Sequence, residues 1–477
     1  MLARTVFCLC AFLATTALAL ASGSPVQETP PLAGQTALPP PVEQPKLRDV
    51  TAAVDPAELQ TTLAKLVGFG TRHTLSDTAS DKRGIGAARR WVQSRFQQIS
   101  DACGGCLQVI TPFQTFRGDR LPKEGAEVMD VVAIQKGTTD PDRFIVMTAH
   151  LDSRVSDPMD AKSDAPGADD DGSGVAAVIE TARVLSKYKF AASVVYSVDS
   201  GEEQGLFGGK LIAQYAADHH WQVEADLNND IVGNPRGQDG LMDDTMVRVF
   251  SEGTRALESP KEASDRRYHG GEIDSPSRNV ARYMQVLGER YVPNWHVMLV
   301  YRTDRYGRGG DHTAFNALGF PALRVTESHE DFTRQHQDVR AEKGVHYGDV
   351  LSGVDFPYLA KVTAMNAVTL AAMAWAPAPP AGVSIASDPV GDLSGGVDTV
   401  FDWKPAVGAA AYRVHWRLTD EPRWSQARFV GPVQHYVLED VSIDDYYFGV
   451  SSVSADGFES PVEFPGPAGA FWPAPGG

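Results

Sequence analysis

Cysteine and positive charge are both scarce in this chain of 477 residues. Only four cysteines occur, and two of them, Cys8 and Cys10, lie within the N-terminal segment of residues 1–21. Lys and Arg number 43 against 61 Asp and Glu, which gives a formal net charge of −18. Nucleic acids and anionic membranes both favour a basic protein surface, so this balance argues against either as a partner. The length is too great for one ordinary domain and predicts two folded units.

Long apolar runs are also missing after the first segment, so we expect no membrane span in the mature protein. In that segment Arg4 precedes an apolar run over residues 6–20, and small residues stand at Ala19 and Ala21. A run of about 15 apolar residues is short for a transmembrane helix but typical of a secretory signal. The sequence therefore predicts a cleaved signal peptide over residues 1–21 and a secreted or periplasmic protein.

The mature chain would keep only Cys103 and Cys106, which are separated by two glycines. A structural zinc site would need a second cysteine pair. A redox motif would follow a strand and open a helix, whereas here a helix is predicted before the pair and a strand after it. In an exported protein we therefore favour a local disulfide.

Domain boundaries follow from composition. Residues 22–50 are rich in proline and polar residues, cannot bury a core, and are predicted to form a flexible leader. The first folded unit is predicted over residues 51–375. A stiff proline-rich linker over 376–382 follows it, and the second unit takes up 383–477.

The first unit alternates helical and strand-like patterns. Residues 131–134, 144–148 and 194–198 are short apolar runs rich in branched side chains, as in strands buried on both faces. Between the second and third runs, residues 175–185 have apolar positions at helical spacing. We therefore predict an α/β fold with a mostly parallel central sheet sandwiched by helices, with ligands gathering at the strand ends.

Acids and histidines recur in five short segments, several of them flanked by glycine. The segments are His150-Leu151-Asp152, Gly167-Ala168-Asp169-Asp170-Asp171, Gly201-Glu202-Glu203-Gln204-Gly205, Asn229-Asp230-Ile231 and Gly310-Asp311-His312. Imidazoles and carboxylates are the ligands that hold pairs of zinc-like ions. His150 and Asp152 end one predicted strand, and Glu202 and Glu203 follow another. On an extended backbone His150 and Asp152 point to the same side, so one can bind a metal while the other orients it.

Each segment also has a purely structural interpretation. The run from Asp169 to Asp171 could be a solvated turn, although EF-hand spacing fails because Val178 stands at the twelfth position. Glu202 and Glu203 could be an exposed charge pair, Asp226 competes with Asp230, and His312 could be a helix-cap histidine. The order of the segments and their strand-end positions together favour a metal site.

Taken together, the segments resemble the secreted co-catalytic zinc aminopeptidase family that includes bacterial leucyl aminopeptidase and yeast vacuolar aminopeptidase Y. The resemblance covers about residues 56–375 and includes Gly68-Phe69-Gly70-Thr71-Arg72-His73 and Gly319-Phe320-Pro321-Ala322. It implies a zinc exopeptidase fold and a secreted enzyme that removes N-terminal residues from peptides with two Zn²⁺ ions. By this resemblance Asp170 bridges the ions, Glu203 and His312 complete one site, and His150 and Asp230 complete the other.

The resemblance also implies that Glu202 is the general base, and Asp152 is assigned to the catalytic group beside it. Tyr301, Arg305 and Tyr306 are candidates for an oxyanion donor. His336 and Asp338 echo a feature that relatives carry near the pocket, but a polar covering loop explains them equally well. His219 and His220 are read as a helix-capping pair rather than as ligands.

Other outcomes of the same fold remain open: a carboxypeptidase-like hydrolase, a glutaminyl cyclase, or a binding protein without activity. The complete ligand set with its base favours hydrolysis of peptides.

The second unit has alternating aromatic and valine-rich segments without helical spacing. Strands are predicted at 399–403, 411–417, 429–438 and 446–453. These strands predict a small all-β sandwich, and the pattern around Leu438 and Tyr446 resembles a fibronectin type III domain, with Trp403 as its core tryptophan. Such a domain could contact polysaccharide, a cell surface or the catalytic domain, or could be a passive spacer.

Overall fold

The computed structural model describes residues 27–29, 43–387 and 398–466. The predicted signal peptide lies outside these residues. Ten helices are described: α1 Pro45–Ala52, α2 Pro56–Val67, α3 Ile85–Ala102, α4 Gly172–Leu185, α5 Glu202–Gly205, α6 Phe207–Asp218, α7 Pro260–His269, α8 Pro276–Tyr291, α9 His312–Ala317 and α10 Phe356–Trp375. None of these helices is long and apolar enough to cross a membrane.

Nineteen strands accompany the described helices. They are β1 Gln27–Thr29, β2 Leu107–Ile110, β3 Phe113–Phe116, β4 Ala126–Met129, β5 Val131–Gln135, β6 Asp140–His150, β7 Ala192–Asp199, β8 Gln222–Asn229, β9 Met246–Ser251, β10 His296–Val300, β11 Ala322–Glu327, β12 Arg340–Glu342, β13 Val345–Tyr347, β14 Ser384–Ser387, β15 Thr399–Asp402, β16 Ala411–Leu418, β17 Gln426–Gly431, β18 His435–Leu438 and β19 Tyr446–Val453.

Eight strands form the central sheet, in the order β10-β9-β11-β8-β6-β7-β5-β2. The middle of the sheet, from β11 through β8 and β6 to β7, is parallel, and antiparallel pairs lie toward both edges. Every residue of β7 is buried, and so is β6 from Phe144 to its end. Such continuous apolar runs belong to strands covered on both faces. The predicted α/β fold is confirmed.

Helices α4 and α10 pack against each other and against the sheet. Asp171 is the N-cap of α4, and its carboxylate accepts a hydrogen bond from the Gly174 amide. Most of α10 is buried, which makes it an interior helix that ties the sheet to α1, α2 and α8. The core of this unit therefore lies on both sides of β6 and β7.

The predicted leader extends less far than expected. Pro45–Ala52 forms α1, and its Leu47 and Val50 are fully buried against the core that contains α10. Proline at the first helical position is compatible with a helix start, and two apolar residues three apart suffice to dock one short helix. Nearer the N-terminus, Gln27–Thr29 pairs in parallel with β17. Within residues 22–50 the composition therefore did not predict β1 or the start of α1.

The C-terminal unit consists of a four-stranded sheet, β1-β17-β16-β19, and a three-stranded sheet, β14-β15-β18. Its core contains Phe401, Trp403, Trp416 and Phe448, so Trp403 has the interior position predicted for it. The single strand predicted over 429–438 is wrong. Gly431, at φ +74°, ends β17, and β18 begins at His435 in the other sheet.

The two units share a buried polar contact. Asp274, which precedes α8, accepts hydrogen bonds from Arg282 at 2.8 Å and from Arg417 of β16 at 2.7 and 2.8 Å. The side chains of Asp274 and Arg417 are fully buried. Beside them Trp424 donates its indole N–H to Asn279 Oδ1 at 3.2 Å. The sandwich is therefore fixed to α8 by groups that water does not reach.

Candidate metal centre

The candidate ligands gather at the carboxyl ends of the parallel strands. His150 is the last residue of β6, Glu203 lies in α5 after β7, and Asp230 directly follows β8. Asp170 stands just before α4, and the peptide bond between Asp170 and Asp171 is cis. The edge of an open parallel sheet where strands end is the usual place for a ligand site.

Two groups of side chains could each hold a metal ion. The first ligand group is His150, Asp170 and Asp230, and the second is Asp170, Glu203 and His336. His150 Nε2 lies 3.2 Å from Asp170 Oδ1, and His336 Nε2 lies 3.1 Å from Asp170 Oδ2 and 3.0 Å from Glu203 Oε1. Asp170 therefore belongs to both groups, with one oxygen turned to each histidine.

His312 lies outside both ligand groups. His336 occupies the position beside Asp170 and Glu203 that the sequence had assigned to His312. His312 begins α9 and is fully buried, with its Nε2 2.8 Å from the carbonyl oxygen of Thr303. His336 comes from the loop between β11 and β12 and has φ +53°. The Gly-Asp-His run at residues 310–312 imitates a ligand motif, whereas no flanking glycine or strand marks His336. The signal for His336 was its echo, together with Asp338, of a feature that relatives carry near the pocket, which a polar covering loop explained equally well.

The donor atoms fit a pair of zinc ions. Two imidazoles and three carboxylates converge, a set that zinc prefers and that magnesium or calcium does not. Glu203 Oε1 is buried and lies 3.0 Å from His336 Nε2. Burial alone would raise the pKa of Asp170, but the neighbouring His150 and His336 hold that pKa well below its usual value. The Asp170 carboxylate is therefore ionised, with one oxygen turned to each histidine.

Asp152 connects the two sides of the site. Its carboxylate accepts hydrogen bonds from the backbone N–H groups of Glu202 at 3.2 Å and Glu203 at 3.1 Å, and from the Thr74 hydroxyl at 2.9 Å. His150 Nδ1 lies 3.0 Å from the Asp152 carbonyl oxygen and 3.6 Å from its Oδ1. Asp152 therefore orients the His150 ring and fixes the start of α5, as the sequence suggested for a residue behind a metal-binding imidazole.

Of the two predicted catalytic acids that belong to neither ligand group, Asp152 and Glu202, only Glu202 lines the cleft above the groups. It opens α5 after Gly201, whose φ of +77° turns the chain sharply at the end of β7. Burial raises the pKa of Glu202 to about 8, and the charges of Glu203 and Asp230 add to that shift while His150 opposes it. A carboxyl group that is not in a ligand group and has this pKa suits proton transfer near neutral pH.

Two residues to which no role was assigned from sequence, Arg72 of the motif at residues 68–73 and Asp349, hold the ligand loops in place. The buried guanidinium of Arg72 donates to the carbonyl oxygens of Leu151 at 2.7 Å, Pro166 at 2.5 Å and Gly167 at 2.8 Å. Arg72 thereby ties the segment after β6 to the segment that carries Asp170. Asp349 accepts from the backbone N–H of Asp169 at 2.9 Å and of Asp170 at 2.7 Å.

Other candidates from the sequence have different surroundings. Asp226 lies inside the sheet, where it accepts a hydrogen bond from the Thr148 hydroxyl at 3.0 Å, so Asp230 is the residue at the site. Tyr301 approaches Pro422 of the sandwich, and Tyr306 is 91% exposed. Of the three proposed oxyanion donors only Arg305 lines the cleft above the ligand groups, whose volume is about 860 Å³.

Among the other polar candidates, Asp338 is exposed and its amide donates to Ser156. His219 ends α6 with Nδ1 2.8 Å from the Tyr215 carbonyl oxygen, as expected of a capping residue. The structure joins Cys103 and Cys106 by a disulfide.

Comparison with known proteins identifies the class. The model of peptidase family M28 matches residues 130–344. A "Probable zinc metalloprotease" of Pyrenophora teres f. teres (strain 0-1) is 40% identical over 432 residues, which cover 90% of this chain and 88% of the relative. Another protein of that name, from Pyricularia oryzae, is 40% identical over 429 residues, which cover 88% of this chain and 84% of the relative. The chain therefore belongs to peptidase family M28, and the prediction of a peptidase is confirmed.

Solved structures share the fold at low sequence identity. The LapA aminopeptidase of Legionella pneumophila is 18% identical with a TM-score of 0.50, covering 72% of this chain and 78% of that one. LapB of the same organism is 17% identical with a TM-score of 0.50, covering 70% and 77%. These similarities concern the α/β fold.

Proposed function

We propose that this peptidase is a secreted aminopeptidase that hydrolyses N-terminal residues from peptides with two zinc ions. The observation that carries the proposal is the carboxylate of Asp170, which stands between two ligand groups while Glu202 remains unattached beside them. One ion would be held by His150, Asp170 and Asp230, and the other by Asp170, Glu203 and His336. In this assignment His336 replaces His312.

The residues around the ligand groups supply the proton transfer that peptide hydrolysis requires. When bound, the two ions supply Lewis acidity that polarises the peptide carbonyl and makes water more acidic. Glu202 accepts a proton as the water oxygen adds to the carbonyl carbon, and it returns that proton to the amine as the C–N bond breaks. Asp152 keeps Glu202 in place through the amide at the start of α5.

The remaining parts of the proposal have separate support. Export is supported by the composition of residues 1–21. A fibronectin type III-like C-terminal unit is supported by the facing sheets of four and three strands around Trp403. The named aminopeptidase among proteins of the same fold is consistent with exopeptidase activity. The intact Glu202 counts against a binding protein without activity.

The test is hydrolysis of matched peptides with free and acetylated N-termini, together with zinc analysis of the purified full chain. We expect hydrolysis of the free peptides only, and we expect Glu202→Gln to lower kcat at least about 100-fold, since this is the usual contribution of a general base. Glu124→Gln, on the exposed loop between β3 and β4, serves as the matched control. Equal hydrolysis of acetylated peptides, or a Glu202→Gln rate within about tenfold of the native rate, would contradict the proposal.

A further inference from the structure

The cleft above the ligand groups is basic, although the chain as a whole carries a net charge of −18. Six cationic side chains line the cleft, and they come from the β3–β4 connection, the segment after Leu151, the start of α6 and the loop before α9. They are Arg117, Arg120, Arg154, Lys210, Arg305 and Arg308. A basic cavity in an acidic protein is a local arrangement that the overall composition does not explain.

Two of the six cations already have carboxylate partners. Arg154 Nε lies 3.0 Å from Glu203 Oε2, and Arg305 Nη1 lies 2.9 Å from Glu330 Oε2. The charge of Arg305 is therefore offset by a carboxylate that does not line the cleft, whereas Arg154 faces a carboxylate of the second ligand group.

The other four cations form what we call the cationic rim: Arg117, Arg120, Lys210 and Arg308. Within the described chain, none of the four makes an ion pair with a carboxylate. Arg120 Nη1 donates to the Glu203 carbonyl oxygen at 3.0 Å, and Lys210 Nζ donates to the Gly205 carbonyl oxygen at 2.8 Å. Both charges are thereby held against α5, the helix that carries Glu202.

The acids of the cleft do not balance the rim. Five carboxylates line the cleft: Asp119, Asp170, Glu202, Glu203 and Asp230. Three of these belong to the ligand groups and Glu202 is the proposed base, so in the proposed function the ions offset their charge. Only Asp119 remains to oppose four rim cations. The loaded cleft therefore attracts anions and repels lysine or arginine side chains.

We propose that the cleft selects peptides that carry a carboxylate next to the bond to be cleaved. The carboxylate has two chemical sources, an acidic side chain in the first two residues or the terminal α-carboxylate of a very short peptide. Both sources present the same chemical group, a carboxylate, to the guanidinium and ammonium groups of the rim. This inference rests on the proposed aminopeptidase function and names its substrate class.

The experiment compares isosteric substrates that differ only in charge, with the zinc-loaded full chain. Glu-Ala-amide against Gln-Ala-amide tests an acidic first residue, and Ala-Glu-amide against Ala-Gln-amide tests the second. Ala-Gln with a free terminal carboxylate against Ala-Gln-amide tests the terminus, and Lys-Ala-amide tests repulsion. We expect kcat/KM to favour the charged member of at least one pair about tenfold or more, which corresponds to about 1.4 kcal/mol. We also expect that preference to shrink in 0.5 M NaCl.

Variants assign the preference to the rim. Arg117→Gln, Arg120→Gln, Lys210→Gln and Arg308→Gln, singly and together, should lower the ratio of kcat/KM between charged and uncharged substrates, with at least a fivefold loss in the quadruple variant. Arg267→Gln is the matched control, because Arg267 is an exposed arginine of α7 outside the cleft. It should leave the ratio unchanged.

The outcomes distinguish failure of the proposed substrate class from failure of the proposed aminopeptidase function. If uncharged peptides are cleaved as well as acidic ones, or if the lysine substrate is preferred, the substrate class is overturned while the aminopeptidase stands. If the quadruple variant keeps the native ratio, the rim is overturned as its cause. If none of the peptides is hydrolysed, the proposed function falls and this inference falls with it. A preference confined to the free terminus, or to the Glu substrates, supports the class and identifies its source.

Discussion

Removing the carboxylate of Asp274 should destabilise the whole protein more than almost any other single change in the C-terminal half. Both oxygens of Asp274 accept hydrogen bonds from Arg417, and one also accepts from Arg282, all within 2.8 Å. In Asp274→Ala these two arginines would remain buried with no counter-charge between them. Breaking a buried pair by removing one partner costs about 3–5 kcal/mol.

The size of the effect should place it near the upper end of that range, because one substitution leaves two cations unpaired. A loss of about 5 kcal/mol lowers the Tm of a large domain by roughly 10 °C or more. Scanning calorimetry and urea unfolding measure it, and Asp444→Asn, at an exposed position of the sandwich, is the control. An Asp274→Ala protein within about 1 kcal/mol of the native stability would refute the idea that this contact joins the two units.

Three further predictions concern the site and the sandwich. His336→Ala should lower the bound zinc from two ions to one, whereas His312→Ala should retain both. Metal analysis of the purified variants measures this, and the reverse result would restore His312 as the ligand. Arg72→Met should weaken zinc binding about 10- to 100-fold in a chelator competition, because both ligand loops lose the guanidinium behind them; unchanged affinity would count against this role. Burial would raise the pKa of Glu459, but Arg413 lowers it from 4.5 to about 2, so this acid stabilises the fold above pH 4.5 and that contribution disappears as the pH falls toward 2. Glu459→Gln should therefore be less stable than the native chain at pH 7, and urea titrations should show the difference narrowing by pH 3.

Local sequence patterns predicted those parts of the structure that depend on local physics. The apolar runs at 131–134, 144–148 and 194–198 fall within β5, β6 and β7, because a strand covered on both faces must be apolar at every position. The positions of His150 and Glu203 follow from the ends of such strands, whereas Asp230 was assigned from the resemblance to the aminopeptidase family. Parallel strands bring their carboxyl ends to one edge, so residues far apart in sequence become neighbours there.

What the patterns missed depends on long-range contacts. His336 reaches Asp170 through a loop that no strand or glycine announces, so its sequence looked like a polar covering segment. Arg72 acts through backbone carbonyls almost a hundred residues away, and such acceptors leave no trace in sequence. The division of residues 429–438 between two sheets depends on the turn at Gly431, while alternation alone reads as one continuous strand.

The shared carboxylate of Asp170 has a consequence for how the proposed ions would be loaded. Its Oδ1 faces His150 and its Oδ2 faces His336, so one torsion angle of a single side chain sets the geometry of both groups. Occupation of one group would fix that angle and change the affinity of the other, and thermodynamic linkage makes the effect equal in both directions. A calorimetric zinc titration of the metal-free chain should therefore be described by a coupling free energy between two sites, and not by two independent binding constants.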